Sequence, residues 1–115
     1  MGDYRRLVVD IDGTLCEETG GLNYADAPPR QNVIAQVNRF YDAGYDVTIF
    51  TARGMYRYAG DRGMIEENLR PVTEAWLKRH GVRYHRLWFG KPSSDMYIDD
   101  KAVTPEDFLE KKWGT

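Results

Sequence analysis

A pair of aspartates stands at the end of the first apolar run of the chain. That run, residues 7 to 11, is rich in β-branched residues and is followed by an Asp-Gly turn signal, which predicts a buried strand. Asp10 and Asp12 are two residues apart, so on a strand their side chains point to the same side. Gly13 lets the backbone turn sharply and approach a ligand closely. The pattern favours a carboxylate site at this strand end.

A second acidic pair, Asp99 and Asp100, follows another short apolar run, residues 96 to 98. If both runs belong to one parallel sheet, the second pair converges on Asp10 and Asp12. Carboxylates this close repel one another in a cleft, and a hard divalent cation such as Mg²⁺ removes that repulsion. Either pair alone is better explained as a helix cap or a solvated turn. The two pairs together predict a magnesium site, with these four aspartates as its candidate ligands.

Thr51 and Lys91 have the chemistry that phosphate binding needs. Thr51 ends a second strand-like run, and its hydroxyl, followed by the backbone amides of Ala52 and Arg53, suits a phosphate oxygen. Lys91 precedes the second acidic pair and would offset its charge and stabilise a developing phosphoryl charge. Taken alone, a threonine that bonds its own turn and a surface lysine are the simpler explanations for these two residues.

The elements that must position these residues alternate along the chain. Apolar spacing predicts a helix from Gln31 to Ala43 and a second, containing Pro71, that Gly81 ends. Thr104 as N-cap and Pro105 predict a last helix. Strands are predicted over residues 7–11, 46–51, 82–89 and 96–98, and Trp76 and Trp88 suit the core. Alternating strands and helices predict an α/β fold with a mostly parallel sheet, its site beyond the carboxyl ends of the strands.

Composition narrows the class of protein. The 115 residues favour one domain over 1–115, and 42% hydrophobic residues predict a globular chain. A net charge of -2 gives no broad basic field, so nucleic acid is not an expected partner. The single cysteine, Cys16, fits a reducing compartment. No apolar run approaches the roughly 20 residues of a membrane helix, and the first residues are polar, so we expect a cytoplasmic protein without a membrane partner.

Four segments taken in order resemble the motifs of the haloacid dehalogenase (HAD) superfamily, and together they span residues 7 to 103. They are Asp10-Ile11-Asp12-Gly13-Thr14-Leu15, Thr51, Lys91-Pro92 and Asp99-Asp100. The resemblance implies a Rossmann-like three-layer sandwich. It also implies that Asp10 is the nucleophile and that Asp12 is the general acid and base, with its carbonyl on Mg²⁺.

The same resemblance implies roles for the remaining motif residues. Thr51 would bind the phosphoryl group, Lys91 would stabilise it, and Asp99 or Asp100 would complete the metal site. Asp10 would attack phosphorus to form an aspartyl-phosphate. Asp12 would protonate the leaving alkoxide and then activate water.

The residue at position 12 narrows the chemistry further. Dehalogenases of the family do not keep an aspartate there, and the ion-pumping ATPases carry threonine, so Asp12 indicates a phosphatase or a phosphomutase. Mutases of the family usually need a cap domain. Only about 15 residues separate Leu15 from the first predicted helix, and about 10 separate Thr51 from the second, too few for such a domain. We therefore expect a capless, magnesium-dependent phosphatase.

The substrate is indicated by a narrower resemblance. Residues 50–55 and 89–102 are similar to small phosphatases of capsule and polysaccharide biosynthesis, which implies a phosphorylated sugar or polyol. They are more distantly similar to the 3'-phosphatase domain of polynucleotide kinase-phosphatases. The loop 53–63 holds three arginines and is expected to border the site, with Arg53 as the best candidate for substrate recognition. An open site also leaves room for a second subunit of a homo-oligomer to cover it.

A non-enzymatic alternative is a receiver domain of a phosphorelay, which also has a parallel sheet, an acidic magnesium site, a phosphorylated aspartate and a lysine. In a receiver, however, the acidic pair follows the first strand and the phosphorylated aspartate ends a middle strand. Here the spaced pair comes first and the doublet comes last. Asp12 also argues against a long-lived phosphoryl group, because it is placed to activate water.

Overall fold

The computed structural model describes residues 5–21 and 23–112. Three strands and three helices alternate along the chain: β1 is Arg6–Val9, α1 is Gln31–Asp42, β2 is Asp46–Thr51, α2 is Arg62–Arg79, β3 is Arg86–Phe89 and α3 is Pro105–Leu109. A short 3-10 helix, Tyr24–Asp26, lies between β1 and α1. None of the helices in these residues has the length and apolar character needed to cross a membrane.

The three strands form one parallel sheet in the order β1-β2-β3. The register places Val9 beside Ile49, and Ile49 beside Leu87. Each of these three side chains is buried among the helices. The predicted α/β fold with parallel strands is therefore confirmed for a three-stranded sheet.

Helix α2 ties the sheet to the long connection that precedes α1. Trp76 of α2 is only 1% exposed, and its indole nitrogen donates a hydrogen bond of 2.8 Å to the carbonyl of Ala27. The bond satisfies the one polar group that burial of a tryptophan brings into the core. The prediction that Trp76 lies in the core is confirmed.

The opposite face of the sheet is open. Side chains alternate along a strand, so Val8 and Trp88 point away from the face that the helices cover. They are 64% and 55% exposed, and the prediction that Trp88 lies in the core is wrong because its neighbours Leu87 and Phe89 occupy the buried side. The described residues thus form two layers, and the third layer of a sandwich is not seen among them.

The ends of the helices follow the local sequence signals closely. Helix α1 begins at Gln31, as predicted, and ends one residue before Ala43. The Thr104 hydroxyl accepts a hydrogen bond of 3.1 Å from the amide of Asp107, which confirms the predicted N-cap of α3. Asp61 caps α2 in the same way, so that helix begins at Arg62, earlier than its apolar spacing predicts.

Two strand predictions are wrong. The third strand begins at Arg86 rather than at residue 82, because residues 81 to 85 form the turn and approach that follow α2. The predicted fourth strand, residues 96–98, is irregular, and Ile98 is 95% exposed. A run of three apolar residues makes a strand only where a neighbouring strand accepts its backbone hydrogen bonds, and none of the strands within residues 5–21 and 23–112 pairs with it.

The loop after β2 packs tightly on α2 at Gly54, and substitution of this glycine tests that packing. Its φ is +80°, and an added Cβ would lie 2.6 Å from a methyl carbon of Leu69. Gly44 has a similar φ, +99°, but no atom within 4 Å of an added Cβ. We expect Gly44→Ala to lose about 1 kcal/mol of stability from the backbone alone, and Gly54→Ala to lose about 1–3 kcal/mol more. Urea unfolding of both variants measures the difference, and equal losses would contradict this packing.

Candidate active site

The turn after β1 holds its two aspartates on one side. Asp10 directly follows the last residue of β1. The amides of residues 14–16 all donate to the carbonyl of Ile11, at 2.8 to 3.2 Å. Gly13 has a φ of +81°, which closes the turn without strain. The chain therefore reverses at once, and the side chains of Asp10 and Asp12 face the same cavity.

That cavity has a volume of about 480 Å³ and opens at the carboxyl end of the sheet. Besides the two aspartates, its lining includes Arg53 and Arg57, so the loop after β2 borders this cavity, and its part in recognising a substrate stays a prediction. Ser93, Ser94 and Tyr97 reach it from the segment after β3. The lining is mostly polar and suits a small ligand with charged and hydroxyl groups.

Lys91 pairs with the first aspartate. Its Nζ lies 3.2 Å from Oδ2 of Asp10, and the two side chains are 20% and 32% exposed. The backbone amide of Lys91 donates to the carbonyl of Thr51 at 3.2 Å, which fixes the start of the segment after β3 against the end of β2. The ring of Tyr97 lies 4.4 Å from the same Nζ. The structure thus places Lys91 beside the carboxylates, as predicted, and its catalytic role stays a prediction.

Arg53 is bound to the second aspartate. Its Nε and Nη2 lie 2.9 and 3.0 Å from the two carboxylate oxygens of Asp12, a bidentate pair. Nη1 donates to the hydroxyl of Thr73 at 3.1 Å, and the guanidinium lies 4.0 Å from the ring centroid of Tyr24. The Arg53 side chain is 0% exposed. Its guanidinium is therefore occupied within the protein. Arg57 is the exposed arginine of the cavity lining, and its Nη2 donates to the carbonyl of Gly21 at 3.0 Å.

Thr51 lies beneath the cavity. The residue is 0% exposed, and its hydroxyl accepts a hydrogen bond of 3.1 Å from the amide of Arg53. Thr51 therefore bonds its own turn, which is the simpler explanation given for this threonine when it is taken alone. Ala52 lines the cavity directly. Contacts of Thr51, Ala52 and Gly13 with a phosphoryl group stay predictions.

The second acidic pair is not brought to the first. Asp99 and Asp100 are exposed and bond locally, Asp99 to the amide of Lys101 at 2.8 Å and Asp100 to its Nζ at 3.4 Å. Over residues 5–21 and 23–112, no three His, Cys, Asp or Glu side chains are grouped so that they could hold a metal ion. The four predicted ligands therefore do not fit a magnesium site within one chain, and their role as ligands stays a prediction.

Two acidic or nucleophilic neighbours of the site also shape its electrostatics. Burial, and then the charges of Asp12 and Asp10, raise the pKa of Glu18, which lines the cavity. Burial and the nearby Asp12 raise the pKa of the Cys16 thiol to about 12, so it is not a nucleophile at neutral pH. Glu18 is not predictable from the sequence, because a glutamate in a polar loop carries no spacing signal.

The Arg53–Asp12 pair gives a prediction about stability. Removing a buried arginine leaves Asp12 without its partner, so we expect Arg53→Met to lower the free energy of unfolding by about 3 kcal/mol. Arg57→Met is the matched control, and the exposed position of Arg57 predicts a change of less than about 0.5 kcal/mol. Urea denaturation of both variants measures the difference. Equal losses would show that the bidentate pair does not stabilise the fold.

Comparison with known proteins places the chain among solved structures. No known family model and no curated protein matches it. A structural-genomics target from Vibrio cholerae is 36% identical, with a TM-score of 0.89 over 94% of this chain and 89% of that one. The chain therefore belongs to the same family as this Vibrio cholerae protein.

A second solved structure shares the fold alone. It is a chain of a Pnkp1/Rnl/Hen1 complex, 22% identical, with a TM-score of 0.57. The match covers 96% of the present chain and 36% of the other, so the protein studied here corresponds to about a third of that chain.

Proposed function

We propose that this protein is a phosphomonoester hydrolase of the HAD type and that Asp10 is its nucleophile. The observation that carries the proposal is the position of the Asp10 carboxylate. It directly follows β1, lies 3.2 Å from Lys91 Nζ and faces a cavity of about 480 Å³ that also contains Asp12. A carboxylate that pairs with a lysine and shares a polar cavity with a second carboxylate suits phosphoryl transfer through an aspartyl-phosphate.

The first chemical step uses Asp10 and Lys91. A carboxylate oxygen of Asp10 attacks phosphorus, the bond between phosphorus and the ester oxygen breaks, and the leaving alkoxide takes a proton from Asp12. Lys91 holds the attacking carboxylate in place, and its positive charge offsets the charge on the transferring group. Water then attacks the phosphorus of the aspartyl-phosphate and gives a proton to Asp12, which releases phosphate and restores Asp10.

Asp12 can carry a proton only if one of the two hydrogen bonds from Arg53 to its carboxylate is broken. Both carboxylate oxygens of Asp12 accept hydrogen bonds from Arg53. One of them therefore exchanges its bond to Arg53 for a proton during the reaction. In this proposal Arg53 positions Asp12, and substrate recognition passes to exposed groups at the rim such as Arg57.

The proposed activity includes a requirement for Mg²⁺. When bound, such an ion supplies positive charge to the transferring phosphoryl group. The described residues of one chain do not bring together the ligands for it, so the steps above assign it no position.

A small phosphorylated metabolite, such as a sugar or polyol phosphate, is the proposed substrate. The cavity is large enough for a metabolite of that size. Its acidic and basic lining, with Glu18 and Arg57, suits hydroxyl and phosphate groups on one molecule. A net charge of -2 disfavours a polynucleotide, whose binding is usually driven by a basic surface.

The central prediction concerns Asp10→Asn. We expect it to lower kcat/KM for phosphate release by at least about 10³-fold, because an amide does not form the aspartyl-phosphate. Asp42→Asn is the matched control, since Asp42 is an exposed residue of α1 that pairs with Arg83. Phosphate release in the presence of Mg²⁺ measures both variants. Full activity of Asp10→Asn would exclude Asp10 as the nucleophile.

A panel of substrates separates this proposal from its alternatives. Sugar phosphates, polyol phosphates, nucleotides and 3'-phosphorylated oligonucleotides are offered beside p-nitrophenyl phosphate. The highest kcat/KM is expected for a sugar or polyol phosphate, whereas preference for the oligonucleotide would identify a polynucleotide 3'-phosphatase. Stable phosphorylation of the protein without turnover would identify a receiver-like domain.

A further inference from the structure

Several polar groups that line the cavity already have partners inside the protein. The Asp10 carboxylate pairs with Lys91. The Asp12 carboxylate pairs with Arg53. The hydroxyl of Ser94 bonds the backbone of its own segment. A ligand that is recognised beyond its phosphoryl group therefore has to meet the remaining polar groups of the lining.

Three polar side chains of the lining have no such partner: Glu18, Tyr24 and Ser93. Within residues 5–21 and 23–112, the Glu18 carboxylate and the two hydroxyls make no hydrogen bond or ion pair. Oε2 of Glu18 stands over the turn after β1, 3.5 Å from the position that a Cβ on Gly13 would take. A charged acceptor and two neutral hydroxyls thus face the cavity without a partner, which suits a ligand that carries several hydroxyl groups.

Three tyrosines line the cavity, and the ring of one is left open. The guanidinium of Arg53 lies 4.0 Å from the ring centroid of Tyr24. Nζ of Lys91 lies 4.4 Å from the ring centroid of Tyr97. No cation from the described residues lies over Tyr56, which is 93% exposed. Its ring is therefore an aromatic surface that an apolar face of a ligand can cover.

The loops that carry Glu18 and Tyr56 are joined to each other. Glu18 belongs to the connection between β1 and α1, and Tyr56 belongs to the connection between β2 and α2. Nη2 of Arg57 donates a hydrogen bond of 3.0 Å to the carbonyl of Gly21 and so links the two connections. The free acceptor and the free ring therefore belong to two walls of one cavity of about 480 Å³.

A cyclic sugar has surfaces that match both walls. The C–H groups on one face of a sugar ring form an apolar surface that packs on an aromatic ring, and the hydroxyls at its edge donate hydrogen bonds. A carboxylate accepts such bonds from two neighbouring hydroxyls at once. An acyclic polyol has the hydroxyls but no rigid apolar face, and ordering its chain costs more conformational entropy.

We propose that the substrate is the phosphate ester of a cyclic sugar, whose ring lies on Tyr56 and whose hydroxyls donate to Glu18. The inference rests on the proposed function and narrows its substrate from sugar or polyol phosphates to cyclic sugars. The hydroxyls of Tyr24 and Ser93 offer further hydrogen bonds to the same ring. Glu18 and Tyr56 determine specificity in this account, and neither takes part in phosphoryl transfer.

Three pairs of esters, each with one carbon chain in cyclic and acyclic form, test the need for a ring. They are glucose 6-phosphate and sorbitol 6-phosphate, mannose 6-phosphate and mannitol 6-phosphate, and ribose 5-phosphate and ribitol 5-phosphate. In the most active pair we expect kcat/KM of the sugar to exceed that of the polyol by at least about tenfold. An equally good polyol would overturn the inference. Preference for a nucleotide would overturn it too, because a base would then cover Tyr56.

Glu18→Gln tests the acceptor, because it replaces one carboxylate oxygen with a donor. Acetyl phosphate, which has neither a ring nor a hydroxyl group, is the reference substrate. We expect kcat/KM for the best sugar phosphate, divided by that for acetyl phosphate, to fall about tenfold, mainly through KM. Glu17→Gln is the matched control, since Glu17 is an exposed neighbour outside the lining, and its ratio should not change. Equal losses of Glu18→Gln on both substrates would place Glu18 in the chemistry and contradict its role in specificity.

Two substitutions of Tyr56 test the aromatic surface. Tyr56→Phe keeps the ring and is expected to keep the same ratio within about twofold, whereas Tyr56→Ala is expected to lower it at least about fivefold. Tyr56 is exposed, so both variants keep the fold, which circular dichroism verifies. The same ratio in both variants would show that the sugar ring does not lie on Tyr56.

This inference and the proposed function fail separately. If the unmodified protein releases no phosphate from any ester, the proposed function is wrong, and isothermal titration calorimetry with the three cyclic sugar phosphates still decides the inference. Glu18→Gln and Tyr56→Ala should each raise the Kd of the tightest sugar phosphate at least about fivefold, and an unchanged Kd would refute the assignment. If the protein is active but hydrolyses the polyol phosphates equally well, the proposed function stands and the inference is wrong.

Discussion

Arg53 and Asp12 join two parts of the chain that are 41 residues apart, the turn after β1 and the loop after β2. The guanidinium is buried, and it is held in turn by the Thr73 hydroxyl of α2 and the ring of Tyr24. A buried arginine needs a fully satisfied set of partners, because an unpaired charge at this depth is costly. The loop, the turn and the helix are therefore tied to one another through this arginine.

The same pair also decides which charges are left to face the cavity. With Arg53 occupied by Asp12, Lys91 is the cation that lies beside Asp10. The two carboxylates are thus distinguished by their partners, since Asp10 pairs with Lys91 and Asp12 is held by a buried arginine. In the proposed mechanism Asp10 is the nucleophile, and Asp12 moves protons once one of its oxygens has exchanged its bond to Arg53.

Site residues that stand next to a recognisable sequence pattern, such as the end of a strand-like run, were predictable from the sequence. Residues whose contacts are set only by the folded chain were not. Asp10, Asp12 and Lys91 follow strand-like runs or precede an acidic pair, so their order along the chain indicates that they meet. Arg53 was expected to bind substrate, because nothing in an arginine-rich loop tells which guanidinium turns inward to a carboxylate. The same holds for the fold, since the helix caps and the three parallel strands have local sequence patterns and were predictable from them.

The wrong predictions concern apolar side chains whose burial depends on what packs against them. Trp88 was expected inside because it is large and apolar, yet it alternates with residues on the covered face and lies on the open one. The run at residues 96–98 has the composition of a strand, but it pairs with no strand in the part of the chain that the structure describes. Apolar composition indicates that a side chain is buried somewhere, and it does not say against which molecule.

The most direct test of the account is to trap the intermediate on Asp10. The protein is mixed with Mg²⁺ and the best phosphate ester from the panel, then quenched with borohydride, which reduces an aspartyl-phosphate to homoserine. Peptide mass spectrometry then locates the reduced residue. The account predicts homoserine at position 10 and nowhere else. An active protein that yields homoserine at another aspartate, or at none, would contradict it.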